Sequence, residues 1–373
     1  MSCARRLHHK QRMQPQTCQG IDILKGLACL LIVAHHLAFY GPMSTVVYPL
    51  APALIDWLFH YARMAVQVFL VVSGFLAARA LAPRAVAADT SPARLIFRRY
   101  VRLSPPYLVA VAASVAAAAW VRPWFADPSV PPEATLVQLL AHALLLQDLM
   151  GLEALSAGVW YVAIDFQLFA LTVLTFSLSS RFEKRWPAVR AWPLSPGQLF
   201  TLTACAASLF FFNTDAFWDV SGLYFFGAYG LGMLAFWASQ TDRRGFRLLT
   251  LGVLVGAALL FDFRERILVA GAVSFGLAVW QRQTSEIRPG RLMLRQLVSL
   301  GKISYSVFLI HFPVCLLVNA VVTNFWPADV AANVIGLMAA LVLSVLAGSV
   351  LYRGVEFRTA LYCSRFKQRF FSQ

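Results

Sequence analysis

Residues 21–40 read IDILKGLACLLIVAHHLAFY, and this stretch decides the fold class. It is mainly apolar and about 20 residues long, as a helix that crosses the hydrocarbon core of a bilayer must be. It nevertheless contains Asp22, Lys25, His35 and His36. Ionisable side chains on a membrane-spanning helix are costly unless they face protein or water, so they mark a candidate functional site.

The helical phase of these four residues separates them into two groups. At about 100° per residue, His36 lies about 20° around the helix axis from Lys25 and about 40° from Asp22. Asp22, Lys25 and His36 therefore share a face, whereas His35 points about 80° from Lys25 and is the more structural candidate. His36 lies about 16 Å along the helix from Lys25, well inside the membrane if Lys25 is at its edge. A general base and a polar packing contact explain such an imidazole equally well.

The composition of the 373 residues indicates that lipid is the main solvent of this chain. Hydrophobic residues make up 59% and charged residues 13%, against about 25% charged in an average soluble domain. The formal net charge of +15 would suit nucleic acid, but the positive residues fall at helix ends, so we predict no nucleic-acid partner. The six cysteines contain no CxxC pair, so we predict neither a disulfide framework nor a metal site.

Hydrophobic patterning predicts an all-α polytopic membrane protein with about ten transmembrane helices. The predicted spans are 21–40, 62–81, 104–121, 158–179, 198–213, 221–239, 247–261, 267–281, 300–323 and 331–352. A shorter apolar run at 135–150 predicts a re-entrant or interfacial helix in an outward loop. The predicted domains are an N-terminal tail at 1–20, a transmembrane domain at 21–358 and a C-terminal tail at 359–373.

The distribution of positive residues predicts the orientation. Of the 32 lysines and arginines, 26 lie in the tails and loops on the side of the N-terminus. Lys25 and Lys302 lie at helix ends on that side, and the opposite side keeps Arg63, Arg122, Arg264 and Arg266. By the positive-inside rule, both termini are cytoplasmic, which predicts a multi-pass protein of the plasma (inner) membrane.

Three further positions suggest chemistry, and each has a structural alternative. Arg98 and Arg102 share a helical face before the third span, where they suit a phosphate-rich ligand or set topology at lipid headgroups. Asp165 lies in otherwise apolar sequence, so it needs a partner. His311 lies in mid-helix just before Pro313, where a kink could line a cavity, and a packing histidine fits that spacing as well.

Taken in order, five stretches resemble those of the acyltransferase family 3 integral membrane acyltransferases. They are the spacing of Lys25 and His36; VFLVVSGFL at 68–76; Arg98, Arg99, Arg102 and Pro105; Trp160, Asp165 and Gln167; and GKISYSVFLIHFP at 301–313. The resemblance runs from residue 21 to about residue 358, and the order of the motifs is more specific than any single motif. The chain departs from the family at Lys25, usually arginine, at Asp165-Phe166, usually two acids, and at Glu356-Phe357-Arg358, usually E-R-P.

The resemblance implies a reaction and a set of residue roles. The reaction is transfer of an acyl group, in the first place acetyl, from cytoplasmic acetyl-CoA or another acyl-CoA to a hydroxyl of a glycan or glycolipid. The implied catalytic residues are His36, Asp22 and Asp165, with His36 deprotonating the hydroxyl or carrying the acyl group, and a carboxylate orienting or balancing the imidazolium. The implied donor-binding residues are Lys25, Arg98, Arg99 and Arg102, and the implied substrate-binding residues are Trp160, Gln167 and His311.

Two other functions fit parts of the sequence. A secondary transporter would relay protons through Asp22, Lys25, Asp165 and His311, although no internal repeat supports it. A regulatory membrane sensor that has lost its chemistry is a third possibility, and the lysine at position 25 is the only hint of it. The acyltransferase hypothesis requires that the imidazole of His36 face a protein interior that a thioester can reach from the cytoplasmic side.

Overall fold

The computed structural model describes residues 17–83, 91–240, 244–280 and 292–363, and its secondary structure in those ranges is entirely helical. The helices, numbered in chain order, are α1 Thr17–Phe39, α2 Met43–Val47, α3 Pro52–His60, α4 Ala65–Leu81, α5 Pro92–Val121, α6 Leu136–Ala143, α7 Val159–Arg185, α8 Pro196–Phe210, α9 Gly222–Ser239, α10 Arg244–Phe261, α11 Glu265–Trp280, α12 Leu292–Phe325 and α13 Val330–Leu351. A π-helical turn, Tyr352–Glu356, continues α13. The predicted all-α class is confirmed, and the two predicted tails lie largely outside the described residues.

Seven helical segments of the described residues are long and apolar enough to cross a membrane. They are α1, α3 together with α4, α5, α7, α10, α12, and α13 with its extension to Cys363. The other three predicted spans are also helices, but α8 has 15 residues and α11 has 16, which at about 1.5 Å each is short for a core of about 30 Å. The third, α9, has 18 residues, several of them glycine or tyrosine. The chain is a multi-pass membrane protein, and the count of ten and the orientation remain predictions.

Helices α1 and α12 run parallel in close contact. The thiol of Cys29 donates to the carbonyl of Ser304, 275 residues later in the chain, and the His36 and His311 rings pair at the same separation of 275 residues. A Cβ added to Gly301 would overlap the backbone carbonyl of Asp22, so the two backbones touch there without an intervening side chain, as small residues allow in membrane bundles. This register brings the two histidines together.

Helices α4 and α9 make the second close backbone contact. A Cβ added to Gly74 would overlap the carbonyl oxygen of Tyr229, and one added to Gly232 would overlap that of Val71. The Ser73-Gly74 pair of the VFLVVSGFL stretch therefore lies where the backbones of α4 and α9 touch. Two glycines that face the opposite helix in this way set the distance between α4, which lines the candidate site, and the rest of the bundle.

Replacing Gly74 with alanine tests this contact. Because the overlapping atom is backbone, the helices must separate, and we expect Gly74→Ala to lower the free energy of unfolding in detergent by about 2 kcal/mol. The matched control is Gly256→Ala on α10, where an added Cβ meets nothing within 4 Å. That variant should unfold at the same or a slightly higher denaturant concentration, since alanine favours helix. Equal effects of the two substitutions would contradict the contact.

The segment between α5 and α7 contains the predicted short helix, α6. A capping box between Thr135 and Gln138 begins it. His142 holds its end: its Nδ1 donates to the Gln138 carbonyl at 2.8 Å and its Nε2 accepts the Leu155 amide at 3.1 Å. Burial lowers the pKa of His142, so the ring is neutral, as these two bonds require. The chain then enters α7 through Gly158, whose φ of 81° suits glycine.

Candidate active site

A cavity of about 190 Å³ lies among α1, α4, α5, α7, α12 and the π-helical turn. Its charged lining residues are Lys25, Arg99, Arg102, Lys302, Asp165 and Glu356. Arg102 and Lys302 are exposed, so they mark its mouth. Four cations against two carboxylates give the cavity a net positive charge, which favours an anionic ligand.

An ion pair between Arg99 and Asp165 forms one wall of the cavity. Nη2 of Arg99 donates to Oδ2 of Asp165, and the guanidinium also lies 5.2 Å from the centre of the Phe169 ring. Two further atoms of the pair, Nε of Arg99 and Oδ1 of Asp165, are buried without a protein hydrogen-bond partner in the described residues. Buried polar atoms are nearly always hydrogen-bonded, so this donor and this acceptor are available to a ligand or water.

The other carboxylates near the cavity also have partners. Asp22 pairs with Lys25, one turn along the same helix, at 3.4 Å. Oε2 of Glu356 accepts a hydrogen bond from the Ser306 hydroxyl at 2.6 Å. Glu356 ends a π-helical turn, a distortion that is frequent at functional sites.

His36 and His311 form a directed chain of hydrogen bonds. Nδ1 of His311 lies 2.6 Å from the carbonyl oxygen of Phe308; since a carbonyl only accepts, this nitrogen carries the proton. In the neutral ring, Nε2 of His311 is then an acceptor, and it lies 2.6 Å from Nδ1 of His36. The proton of His36 is therefore on Nδ1. Its Nε2 keeps a lone pair, which is the state a general base needs.

The relative position of the two rings supports this assignment. The planes of His36 and His311 differ by 2°, and their centroids are 4.8 Å apart. That separation exceeds the 2.6 Å between the bonded nitrogens by about two ring radii, so the rings lie edge to edge and the N–H points along the line between them. His311 is fully buried, whereas His36 is only partly buried.

Neither histidine lines the cationic cavity. Three aromatic residues that do line it lie between the cavity and the pair: Phe69, Tyr161 and Phe308. The Phe308 ring centroid is 6.0 Å from that of His311. Nδ1 of His36 thus faces α12, and an aromatic layer separates the histidine from a thioester in the cavity.

The structure redistributes the roles implied for the carboxylates. Neither Asp22 nor Asp165 is hydrogen-bonded to His36, because each is paired with a cation close to the cavity mouth. The group that orients His36 is the ring of His311, which the sequence analysis had assigned to substrate binding. His35 is apart from this chain of bonds, since its Nδ1 donates to the Leu58 carbonyl at 2.9 Å.

Three other residues singled out from the sequence do not line the cavity. Arg98 lies on α5 beside Arg99 but outside the lining. Trp160 packs against Phe225, with ring centroids 5.6 Å apart. Oε1 of Gln167 accepts the backbone amide of Gly222 at 2.8 Å, which satisfies one of the free amides at the start of α9.

Sequence reasoning missed several cavity residues. Lys302, Ser304 and Tyr305 lie within the GKISYSVFLIHFP stretch, where only the histidine was singled out. Glu356 was noted only as part of a departure from the family's E-R-P motif. Lys302 lies nine residues before His311, about 180° away in helical phase, so the phase argument that grouped Lys25 with His36 did not point to it.

A family model for the acyltransferase family 3, described as an acyltransferase domain, matches residues 19–353 of the chain. No curated protein and no solved structure matches. The matched range contains both histidines, the aromatic layer and every charged residue of the cavity except Glu356.

Proposed function

Because the chain belongs to the acyltransferase family 3, and is thus a membrane acyltransferase, we propose that it transfers acetyl from cytoplasmic acetyl-CoA to a hydroxyl of a glycan or glycolipid. The observation that carries the proposal is the hydrogen-bond chain from Phe308 through His311 to His36, which leaves an imidazole lone pair inside the bundle. We place the enzyme in the plasma (inner) membrane, with the cationic cavity on the cytoplasmic side.

In the proposed reaction, the acyl end of the donor passes the aromatic layer between the cavity and the histidine pair, and Nε2 of His36 accepts the proton of the acceptor hydroxyl. The hydroxyl oxygen attacks the thioester carbonyl, a C–O bond forms, the C–S bond breaks, and the sulfur leaves with the proton from His36. The products are an ester and the free thiol. In the second route, Nε2 itself attacks the thioester carbonyl, a C–N bond forms, and the C–S bond breaks with release of the thiolate. The acceptor hydroxyl then attacks the acyl-imidazolium, the C–N bond breaks, and the hydroxyl proton passes to the thiolate. In both routes His311 accepts the hydrogen bond from Nδ1 and stabilises the positive charge that develops on His36.

The cavity suits the donor. CoA carries phosphates, and Lys25, Arg102 and Lys302 line the cavity, the last two at its mouth. The cavity volume of about 190 Å³ is below the ~300–1,000 Å³ of typical small-molecule sites. It therefore matches the thioester arm of the donor, with the phosphates held outside by the cations.

Removal of the cations at the mouth should weaken donor binding. We expect Arg102→Ala and Lys302→Ala each to raise KM for acetyl-CoA about tenfold with little change in kcat, because a charge-assisted hydrogen bond to phosphate is worth roughly 1.5–3 kcal/mol when formed and less when exposed. Arg98→Ala is the matched control, since Arg98 lies on the same helix outside the cavity lining. If all three variants changed KM alike, general surface charge would explain the effect and the phosphate contact would be excluded.

The proposed function is tested with the purified full chain in proteoliposomes that contain a glycolipid extract of the cell envelope. Label from acetyl-CoA should appear in the lipid or glycan fraction. Mass spectrometry of envelope glycans and lipids, with and without the protein, should show a loss of increments of about 42 Da, the mass that one acetyl ester adds. Absence of both would overturn the proposal, and solute flux without any acyl donor would favour a transporter.

A further inference from the structure

The Arg99–Asp165 pair leaves one donor and one acceptor unused on the wall of the cavity. Nη2 of Arg99 donates to Oδ2 of Asp165, whereas Nε of Arg99 and Oδ1 of Asp165 have no partner among the described residues. Nε and Nη2 share one edge of the planar guanidinium, so the unused N–H points to the side on which Asp165 lies. Asp165 is 4% exposed, and both residues line the cavity. A ligand that satisfies the pair therefore offers an acceptor and a donor side by side.

The depth of the pair in the bundle follows from the residue spacing on two helices. Asp165 is four residues from Tyr161 on α7, and both line the cavity. Ser304 has the same spacing from Phe308 on α12, and both of these line the cavity too. The Tyr161 and Phe308 rings touch, with centroids 5.3 Å apart, so Asp165 and Ser304 lie at a similar depth. Since His311 is seven residues beyond Ser304, the pair lies about 10 Å along the helices from the histidines.

The pantetheine arm of CoA has a group at this distance from its thioester. In the proposed reaction the acyl carbonyl reaches Nε2 of His36, so the arm extends back across the aromatic layer into the cavity. Its two amide nitrogens are four and eight bonds from the thioester carbonyl carbon, which in an extended chain is about 5 and about 10 Å. The inner amide therefore falls at the aromatic layer, and the outer amide, which belongs to the pantoyl group, falls at the depth of the Arg99–Asp165 pair.

The outer amide also matches the pair chemically. Its nitrogen only donates, and the carbon next to its carbonyl carries a hydroxyl, which accepts as well as donates. The N–H and the hydroxyl oxygen can lie on the same edge of the arm, as a side-by-side donor and acceptor require. The N–H then donates to Oδ1 of Asp165, and the hydroxyl oxygen accepts from Nε of Arg99. The inner amide has no hydroxyl beside it.

We propose that the Arg99–Asp165 pair binds the pantoyl end of the donor, through its amide N–H and the neighbouring hydroxyl, and so sets how far the arm enters the bundle. The inference rests on the proposed function. In this role Arg99 and Asp165 are positioning residues, because they hold the donor about 10 Å from the atoms that react. The cations at the mouth attract the phosphates, and the pair selects the arm that follows them.

The test measures equilibrium binding of the donor and needs no turnover. The purified full chain in lipid nanodiscs binds tritium-labelled acetyl-CoA, which is displaced by CoA or by one of three analogues. Two analogues have an ester in place of the outer or the inner amide, and the third lacks the pantoyl hydroxyl. The native protein should bind the outer-ester and dehydroxy analogues about 10- to 100-fold more weakly than CoA, because each leaves a charged group of the pair unsatisfied.

Variants of the pair should remove these differences one at a time. Asp165→Asn puts an amide N–H₂ in place of the unused oxygen, so the loss for the outer-ester analogue should fall to less than about threefold. Arg99→Lys keeps a cation beside the carboxylate but has no Nε–H, so the loss for the dehydroxy analogue should fall in the same way. The inner-ester analogue should show one ratio to CoA in all of these proteins.

Asp22→Asn is the matched control, since Asp22 pairs with Lys25 and does not line the cavity, and it should keep every native ratio. Absence of saturable acetyl-CoA binding to the native protein would overturn the proposed function. Binding of the outer-ester and dehydroxy analogues as tightly as CoA would overturn the role of the pair alone, and so would losses that persist in both variants. If Asp165→Asn fails to accumulate, Arg99→Lys decides between these results.

Discussion

His36→Asn is expected to lower the rate of acyl transfer by about two to four orders of magnitude while the protein remains folded. The asparagine amide nitrogen can take the place of Nδ1, which donates to His311 at 2.6 Å in the native chain. The orienting hydrogen bond is then kept and the proton acceptor at Nε2 is lost. The measurement is kcat for labelled acetyl transfer, with folding checked by the elution volume in detergent.

The neighbouring histidine provides the matched control. His35 donates from Nδ1 to the Leu58 carbonyl, and His35→Asn keeps a donor in that place, so we expect a change in kcat of less than about threefold. Wild-type turnover in His36→Asn would remove His36 from the chemistry in either of the two routes. A loss of similar size in both variants would assign the pair of histidines to structure instead.

The second large effect is expected at the Arg99–Asp165 pair. The Asp165 side chain is 6% exposed and that of Arg99 25%. Breaking a buried pair leaves an uncompensated charge and costs about 3–5 kcal/mol. We expect the low end of that range for Asp165→Asn, about 3 kcal/mol in the free energy of unfolding, because Arg99 reaches the water-accessible cavity. Denaturant titration of the purified protein in detergent measures it.

A double variant separates the effect of the ion pair on stability from the effects of its two members. Arg99→Met with Asp165→Leu removes both charges, so it should regain most of the stability that Asp165→Asn loses. Glu133→Gln is the surface control: Glu133 is 90% exposed and 3.9 Å from Arg122, so its loss should cost less than about 1 kcal/mol. A double variant as unstable as the sum of its single variants would show that the two charges are not coupled.

Local sequence patterns were sufficient to predict the helices and to predict which residues of α1 share a face. All ten predicted spans coincide with helices, because hydrophobic runs of this length leave the backbone few alternatives in lipid. The same arithmetic placed Asp22 and Lys25 on one face, and they pair with each other one turn apart. It also placed His36 about 16 Å beyond Lys25, past the cavity that Lys25 lines.

Contacts between distant parts of the chain were beyond the reach of these patterns. His36 and His311 are 275 residues apart, and the spacing within one helix says nothing about the ring that meets it from another. For that reason the sequence analysis assigned the role of balancing the His36 imidazolium to Asp22 or Asp165. Asp22 shares the helical face of His36, and Asp165 is a carboxylate in otherwise apolar sequence. Both are held by cations near the cavity. Asp22 pairs within α1, whereas the partner of Asp165 depends on the packing of α5 against α7.

Because α1 and α12 run parallel in contact, the meeting of the two histidines depends on the number of residues along each helix. A slip of one residue between these helices would turn His311 by about 100° and shift it by about 1.5 Å, which is enough to break its bond to His36. The backbone contact of Gly301 with Asp22 prevents that slip from a point about 15 Å away along the helix. The number of residues from Gly301 to His311 therefore matters as much as their identity, and it can change only together with the number from Asp22 to His36.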